Sequence, residues 1–201
     1  ALTLGLEIDQ ATLARNAASY PASNRIALAA GSRWNNAGVN PLEHFDVGME
    51  AVRVATGMVP NVALIPAAVW RPLRRNAAMI DMAGGEAGSL TPEQVARVIG
   101  VNRVVVAGAV QAANAGDITG PMVGTFTDIW GKDVILAYVP ENPAGMEEPS
   151  YGYTYRMQGN PFVEPPRWDG DTKSWIYGVA YERVPVLSGI SAGYLIQTAV
   201  D

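Results

Sequence analysis

Between residues 40 and 110, signals for capped helices alternate with uninterrupted apolar runs, and this alternation limits the possible folds more than any other feature. Asn40 is placed to cap a helix, Pro41 fits its first position, Glu43 stands at the capping-box position, and Leu42, Phe45, Met49 and Val52 form one apolar face up to Gly57. Thr91-Pro92-Glu93-Gln94 repeats the pattern as a capping box, predicting a helix through Ile99 that Gly100 stops. Val62-Ala63-Leu64-Ile65 and the run 104–110 are too short for long helices and read as buried strands. Pro66 opens a short helix carrying Trp70 and Leu73, which Pro72 should kink or shorten, and residues 79–89 read as a Gly-rich connection. Helix, strand, helix, helix, strand is an α/β or α+β order, not that of an all-β sandwich.

The flanks are different. Residues 2–18 read as the end of an amphipathic helix, with Leu2, Leu6, Leu13 and Ala17 on its apolar side and Gly5 weakening it. Tyr20-Pro21-Ala22-Ser23-Asn24 is a turn, Arg25-Ile26-Ala27-Leu28 a short strand, and 31–39 a polar loop around Trp34. Beyond the strand expected at 132–139, two ladders of period two follow, Tyr151/Tyr153/Tyr155 and Trp175/Tyr177/Val179/Tyr181. A Pro-rich link over 160–171 could return one ladder against the other as a long hairpin with a wide loop, before a last strand at 194–200. No internal repeat is evident.

Composition narrows the function classes. Of the 201 residues, 49% are hydrophobic and only 16% charged, against about a quarter charged in an ordinary soluble domain, so this surface must expose apolar area or cover it with neighbours. The net charge of −5, with no basic run longer than Arg74-Arg75, argues against sequence-specific nucleic-acid binding. Absence of cysteine removes thiol nucleophiles, disulfides and cysteine zinc sites, and leaves the redox compartment open. No apolar stretch approaches the ~20 residues of a membrane span, and no secretory leader is visible.

Motifs with chemical potential are few. Gly189-Ile190-Ser191-Ala192-Gly193 matches the nucleophile-elbow pattern, but the residues after it look like a strand, and the sole histidine, His44, lies upstream, where that fold orders serine, acid, then histidine. His44 itself sits off the Phe45/Met49/Val52 stripe with no second histidine and no paired nucleophile, which reads as a partly solvated helix face. Asp169-Gly170-Asp171 resembles the start of a calcium loop, but Lys173 and Ala180 occupy ligand positions, so a turn is expected. Gly131-Lys132 fails as a phosphate loop because Asp133 replaces the hydroxyl residue and Gly124 is misplaced. Arg71, Arg74 and Arg75 share a helix face, and Glu147-Glu148 is an acidic pair; a solvated face and charged contact between subunits both stay open. The expectation is no catalytic residue, no cofactor-binding residue and no metal ligand.

Several segments in order resemble a known family. They are Asn61-Val62-Ala63-Leu64-Ile65-Pro66 with Val69-Trp70-Arg71-Pro72-Leu73-Arg74, then Val101-Asn102-Arg103-Val104-Val105-Val106, and Asp128-Ile129-Trp130-Gly131-Lys132-Asp133. Pro149-Ser150-Tyr151-Gly152-Tyr153-Thr154, Ser191-Ala192-Gly193-Tyr194-Leu195-Ile196 and the Ala17-Ala18-Ser19-Tyr20-Pro21 corner complete the set. Together they resemble the C-terminal two-thirds of a tailed-bacteriophage or prophage major capsid protein with the HK97-type fold.

The resemblance implies an α+β chain. Residues 1–40 and 146–186 would belong to a peripheral domain, holding the end of its long spine helix and its long β-strands. Residues 41–145 and 187–201 would form an axial domain, a mixed sheet with flanking helices that clusters around capsomer axes. It further implies a structural subunit without an active site, self-assembling into hexamers and pentamers that enclose DNA, in the virion and, during assembly, the host cytoplasm. Scaffold, portal and decoration proteins and non-specific contact with packaged DNA are the partners it suggests, with no membrane. Family members carry an N-terminal arm, an extended loop and most of the spine helix upstream; none of these is recognised here, so a trimmed or incompletely seen copy is expected. An encapsulin-like compartment is the neighbouring alternative. A small serine hydrolase using Ser191 and His44 is the rival from another class.

Overall fold

The computed structural model describes residues 2–85, 88–112, 125–142, 148–159 and 161–201. In chain order the elements are α1 (Leu2–Ala14), β1 (Arg25–Ala27), α2 (Pro41–Thr56), β2 (Val62–Pro66), α3 (Ala67–Leu73), α4 (Ala77–Met82), α5 (Pro92–Ile99), β3 (Arg103–Ala107), β4 (Val110–Ala112), β5 (Phe126–Asp128), β6 (Val134–Ala137), β7 (Tyr153–Arg156), β8 (Phe162–Val163), β9 (Arg167–Asp169), β10 (Ser174–Ile176), β11 (Val179–Ala180), β12 (Arg183–Val186) and β13 (Gly193–Gln197).

Local chemistry sets the helix ends. The Asn40 side chain accepts the Leu42 N–H, Pro41 opens α2, and Gly57 closes it at φ 75°, a left-handed conformation that a Cβ disfavours. Thr91 and Gln94 form a reciprocal capping box on α5, which ends on Gly100. Pro72 lies inside α3, and the helix stops one residue later at Leu73. The Gly-rich connection expected over 79–89 contains a helix instead: Asn76 caps α4 by accepting the Ala78 and Met79 N–H groups, and Met79 is fully buried beneath it. Glu86 and Ala87 of that stretch lie outside the described residues.

A five-stranded mixed sheet in the order β1-β13-β6-β2-β3 organises the molecule. β2 and β3 are parallel, with Leu64 opposite Val105, and α3–α5 provide the crossover such a pair requires. β13 runs antiparallel to β6 and parallel to β1, so Arg25–Ala27 is an edge strand of this sheet and the stretch 1–40 divides between α1 and the sheet. Alternation sorts side chains to two faces. Ala63, Ile65, Val134, Leu136, Tyr194 and Ile196 pack under α2–α5 with Phe45, Val52, Val69 and Val95. Ile135, Ala137 and Leu195 face α1, Tyr20, Ile129 and Trp130. The result is three layers, as an α+β chain with flanking helices requires.

Three expectations need correction. In α1 the buried residues are Ala11 and Ala14, whereas Leu13 is exposed and the helix ends at Ala14, because small residues let the helix lie close to the sheet. The apolar run 104–110 is not one buried strand: β3 ends at Ala107 on the edge of the sheet with Val105 and Val106 partly exposed, and Val110 starts the separate β4–β5 ribbon. A continuous apolar run marks a strand but not how many neighbours it has. The ladders do form a long hairpin, but neither in the expected register nor with the expected loop. β7 pairs with β12, β8 with β11 and β9 with β10, so the chain reverses at the tight turn after Asp169, and the Pro-rich link is itself part of one arm.

Candidate assembly surface

The hairpin formed by β7–β12 is the most unusual feature of the described residues. Beyond its root it is two strands wide, no layer of the described residues covers either face, and Phe162, Val163, Trp168, Trp175, Tyr177, Val179 and Val184 are all exposed among them. Trp168 lies opposite Trp175 near the tip, their rings edge-on at 5.6 Å. At the turn the Asp169 carboxylate accepts the Thr172 hydroxyl at 2.9 Å and the Asp171 N–H at 3.1 Å, and these bonds hold it below the usual aspartate range. The carboxylate that could have started a calcium loop is therefore occupied by the turn, and among the described residues no three His, Cys, Asp or Glu side chains gather to hold a metal.

The root is built to fix the hairpin's direction. A Cβ on Gly152 would lie 2.8 Å from the Val186 carbonyl, one on Gly189 would lie 2.6 Å from the Ser150 carbonyl, and one on Gly193 would overlap the Tyr151 ring. The Tyr151 hydroxyl bonds that of Tyr20, which donates to the Ala14 carbonyl at 2.7 Å, tying the root to the end of α1. Burial pushes the Tyr151 phenol up to about 12 and that of Tyr20 further in the same direction, so both stay neutral. Gln10 donates to the Thr154 hydroxyl at 3.1 Å, and α1 and the root flank an apolar groove of about 210 Å³.

A second anchor holds α1 to the turn before β6. Arg15 Nε donates to Asp133 at 2.9 Å and its Nη1 to the Ile129 carbonyl at 3.0 Å, while the other Asp133 oxygen accepts the Thr198 N–H at 3.0 Å. Gly131, at φ 58°, leaves room for that guanidinium, since a Cβ there would sit 2.5 Å from Arg15 Nη2. Trp130 Nε1 donates to Glu7 at 2.9 Å. The Gly131-Lys132-Asp133 string is thus a docking turn for α1. Sequence reading missed Arg15, Asp133, Tyr20 and Tyr151 as partners, and also Asn61, whose side chain bonds both backbone groups of Val139 and so extends the sheet.

The remaining sequence candidates do not converge. Ser191 lies in a single 3-10 turn, Ile190–Ala192, that leads into strand β13, so the strand-to-helix elbow is not formed. It shares a cavity with Thr56 at the C-terminal end of α2, while His44 is in the first turn, about 18 Å away along the helix at 1.5 Å per residue. His44 Nδ1 accepts the Trp34 indole N–H at 3.2 Å; burial lowers its pKa against an opposing pull from Glu43. The lone pair a general base would use is already occupied. Arg71 and Arg75 are exposed near the end of α3 and Arg74 is half-buried; Glu147 of the acidic pair, like Gly124, lies outside the described residues.

No family model matches the chain. It is 33% identical, over 98% of its length, to the major capsid protein of Burkholderia phage BcepMu. The chain is a relative of that major capsid protein. A phage-related protein from Bordetella bronchiseptica RB50, known from a crystal structure, superimposes with a TM-score of 0.88 at 34% identity over 98% of this chain. The chain spans 62% of the length of each of these proteins. The backbone path described above is therefore shared, over 98% of this chain, with that phage-related protein. None of the described helices is long and apolar enough to cross a membrane.

Proposed function

We propose that this chain is a structural subunit of a phage or prophage capsid shell, joining copies of itself into hexamers and pentamers that enclose DNA, and that its role is not catalytic. The observation that carries this reading is the bare hairpin. An isolated two-stranded ribbon is marginally stable in water, and this one turns large apolar side chains outward on both faces, which suits strands that neighbouring subunits cover. The likeness to a protein named major capsid protein supports the same reading, and favours a virion shell over an encapsulin-like compartment.

In this proposal the layout is that of the HK97-type fold. α1 is the end of the spine helix and the hairpin the long strands of the peripheral domain, from residues 1–40 and 146–186. The five-stranded sheet with α2–α5, from residues 41–145 and 187–201, is the axial domain, which β1 joins through its pairing with β13. Scaffold, portal and decoration proteins would meet the assembled shell, packaged DNA would touch its inner surface, and assembly would take place in the host cytoplasm. Sedimentation velocity of the full-length gene product over a concentration series tests the reading. Rings or shells should build up as concentration rises, and a species that stays monomeric throughout would refute it.

A further inference from the structure

The helical layer has two unlike ends. α2 packs on β13 and beside the turn that precedes edge strand β1, while α3 and α5 pack on β2 and β3 at the opposite edge of the sheet. The outer face of α2 forms an open groove lined by Val47, Ala51 and Val54, with Asp46 and Glu50 one turn apart along one border and Ser23 also lining it. Val47 and Val54 are well exposed there, and Glu50 is engaged by Arg53 on the same helix. At the far end, Arg71 and Arg75 lie four residues apart, so they share one side of the chain where α3 ends, with Arg74 between them. Arg75 borders a shallow apolar surface of Ala77, Ala78 and Ile80, with Asp81 at its rim. Arg71, Arg74 and Arg75 take part in no ion pair among the described residues, and Arg74 Nε is buried without a hydrogen-bond partner.

We propose that the acidic, apolar groove on α2 receives the Arg71/Arg75 face of a second copy of this chain, in a head-to-tail contact that closes a ring. The inference rests on the capsid reading above and names the surfaces it would use. Opposite signs at opposite ends of one layer suit a heterologous contact, in which each copy presents one surface to the neighbour before it and the other to the neighbour after it. A two-fold contact would pair the same two surfaces twice over and stop at a dimer, so the size of the species formed distinguishes it from a ring. Valines in the groove supply apolar area, and the charges fix register and hasten encounter. The basic face is small and lies next to apolar residues, which fits a protein partner better than a phosphate backbone.

The test uses two charge-swapped forms of the full-length product, Asp46→Arg with Glu50→Arg, and Arg71→Glu with Arg75→Glu. Each alone should raise the concentration needed for ring formation by at least about tenfold, since like charges then face each other across the contact. A 1:1 mixture should recover rings, because alternating copies restore opposite charges at every contact; only even-membered rings can do so, so hexamers return without pentamers. Where a swap lowers the melting temperature, the neutral pairs Asp46→Asn with Glu50→Gln and Arg71→Gln with Arg75→Gln replace it, with a smaller rise expected in the same direction. Normal assembly of both single forms overturns this contact while leaving the capsid reading intact, as does failure of the mixture to recover rings. Loss of DNA retention alone in the arginine variant would overturn it in favour of nucleic acid. A wild-type product that never assembles removes the capsid reading and this contact together.

Discussion

Replacing Trp168 and Trp175 together by serine separates the two tasks of the hairpin, holding itself and holding neighbours. The rings are 55% and 57% exposed, so with ~250 Å² per tryptophan each leaves ~140 Å² uncovered. At ~25 cal/mol per Å², covering both rings would contribute up to ~7 kcal/mol, and covering half of that area ~3.5 kcal/mol. Within the monomer the double change removes their edge-on contact, worth ~0.5–1.5 kcal/mol, and little core, because the pair lies far from the buried clusters. The association constant at a contact using this tip should therefore fall by ~300-fold, while the main thermal transition barely moves. Sedimentation velocity for assembly and circular dichroism for melting read the two effects on one sample. Unchanged assembly, or a collapse of the melting transition equal to the loss of assembly, would refute the reasoning.

Other predictions follow from packing and titration. Gly48→Ala places a Cβ 2.7 Å from the Tyr194 ring and 2.9 Å from Leu136; that clash outweighs the helix propensity gained, so a net loss of ~1–3 kcal/mol is expected by denaturant titration. His44 is held below its usual value of 6.5, mainly by burial, so the unfolded chain takes up its proton first; its contribution is present above about pH 6.5 and is lost as pH falls below it. His44→Gln should flatten that part of a stability–pH curve. Tyr20 and Tyr151 are both raised above 10.0, so their contribution is complete below about pH 10 and is lost as pH rises toward and past 12. Absorbance titration should show late-ionising phenols in the wild type, Tyr194 among them, and fewer in Tyr151→Phe.

What could be read in advance was local. The ends of α2 and α5 are written in Asn40, Pro41, Gly57, Thr91, Gln94 and Gly100, since caps depend on neighbours within a turn. Period-two aromatics announced the hairpin, but the sharp turn at 169–174 competed with a longer Pro-rich stretch, and the strands proved able to run through those prolines at unpaired positions. α4 escaped notice because six residues show too little periodicity, although Asn76 was there as its cap. The partners that dock α1 stand more than a hundred residues apart, Arg15 with Asp133 and Tyr20 with Tyr151, and no local pattern links them. Ser191 was legible for the opposite reason: the small residues of an elbow also suit a turn that must pass close to Tyr151, and the strand that follows, visible in the sequence, distinguishes the two.

Electron microscopy of the purified full-length gene product tests the central claim most directly. Copies joined edge to edge should appear as six- and five-fold rings or as closed particles, with the hairpins running across subunit boundaries. Isolated particles of single-subunit size at every concentration and salt tried would contradict it.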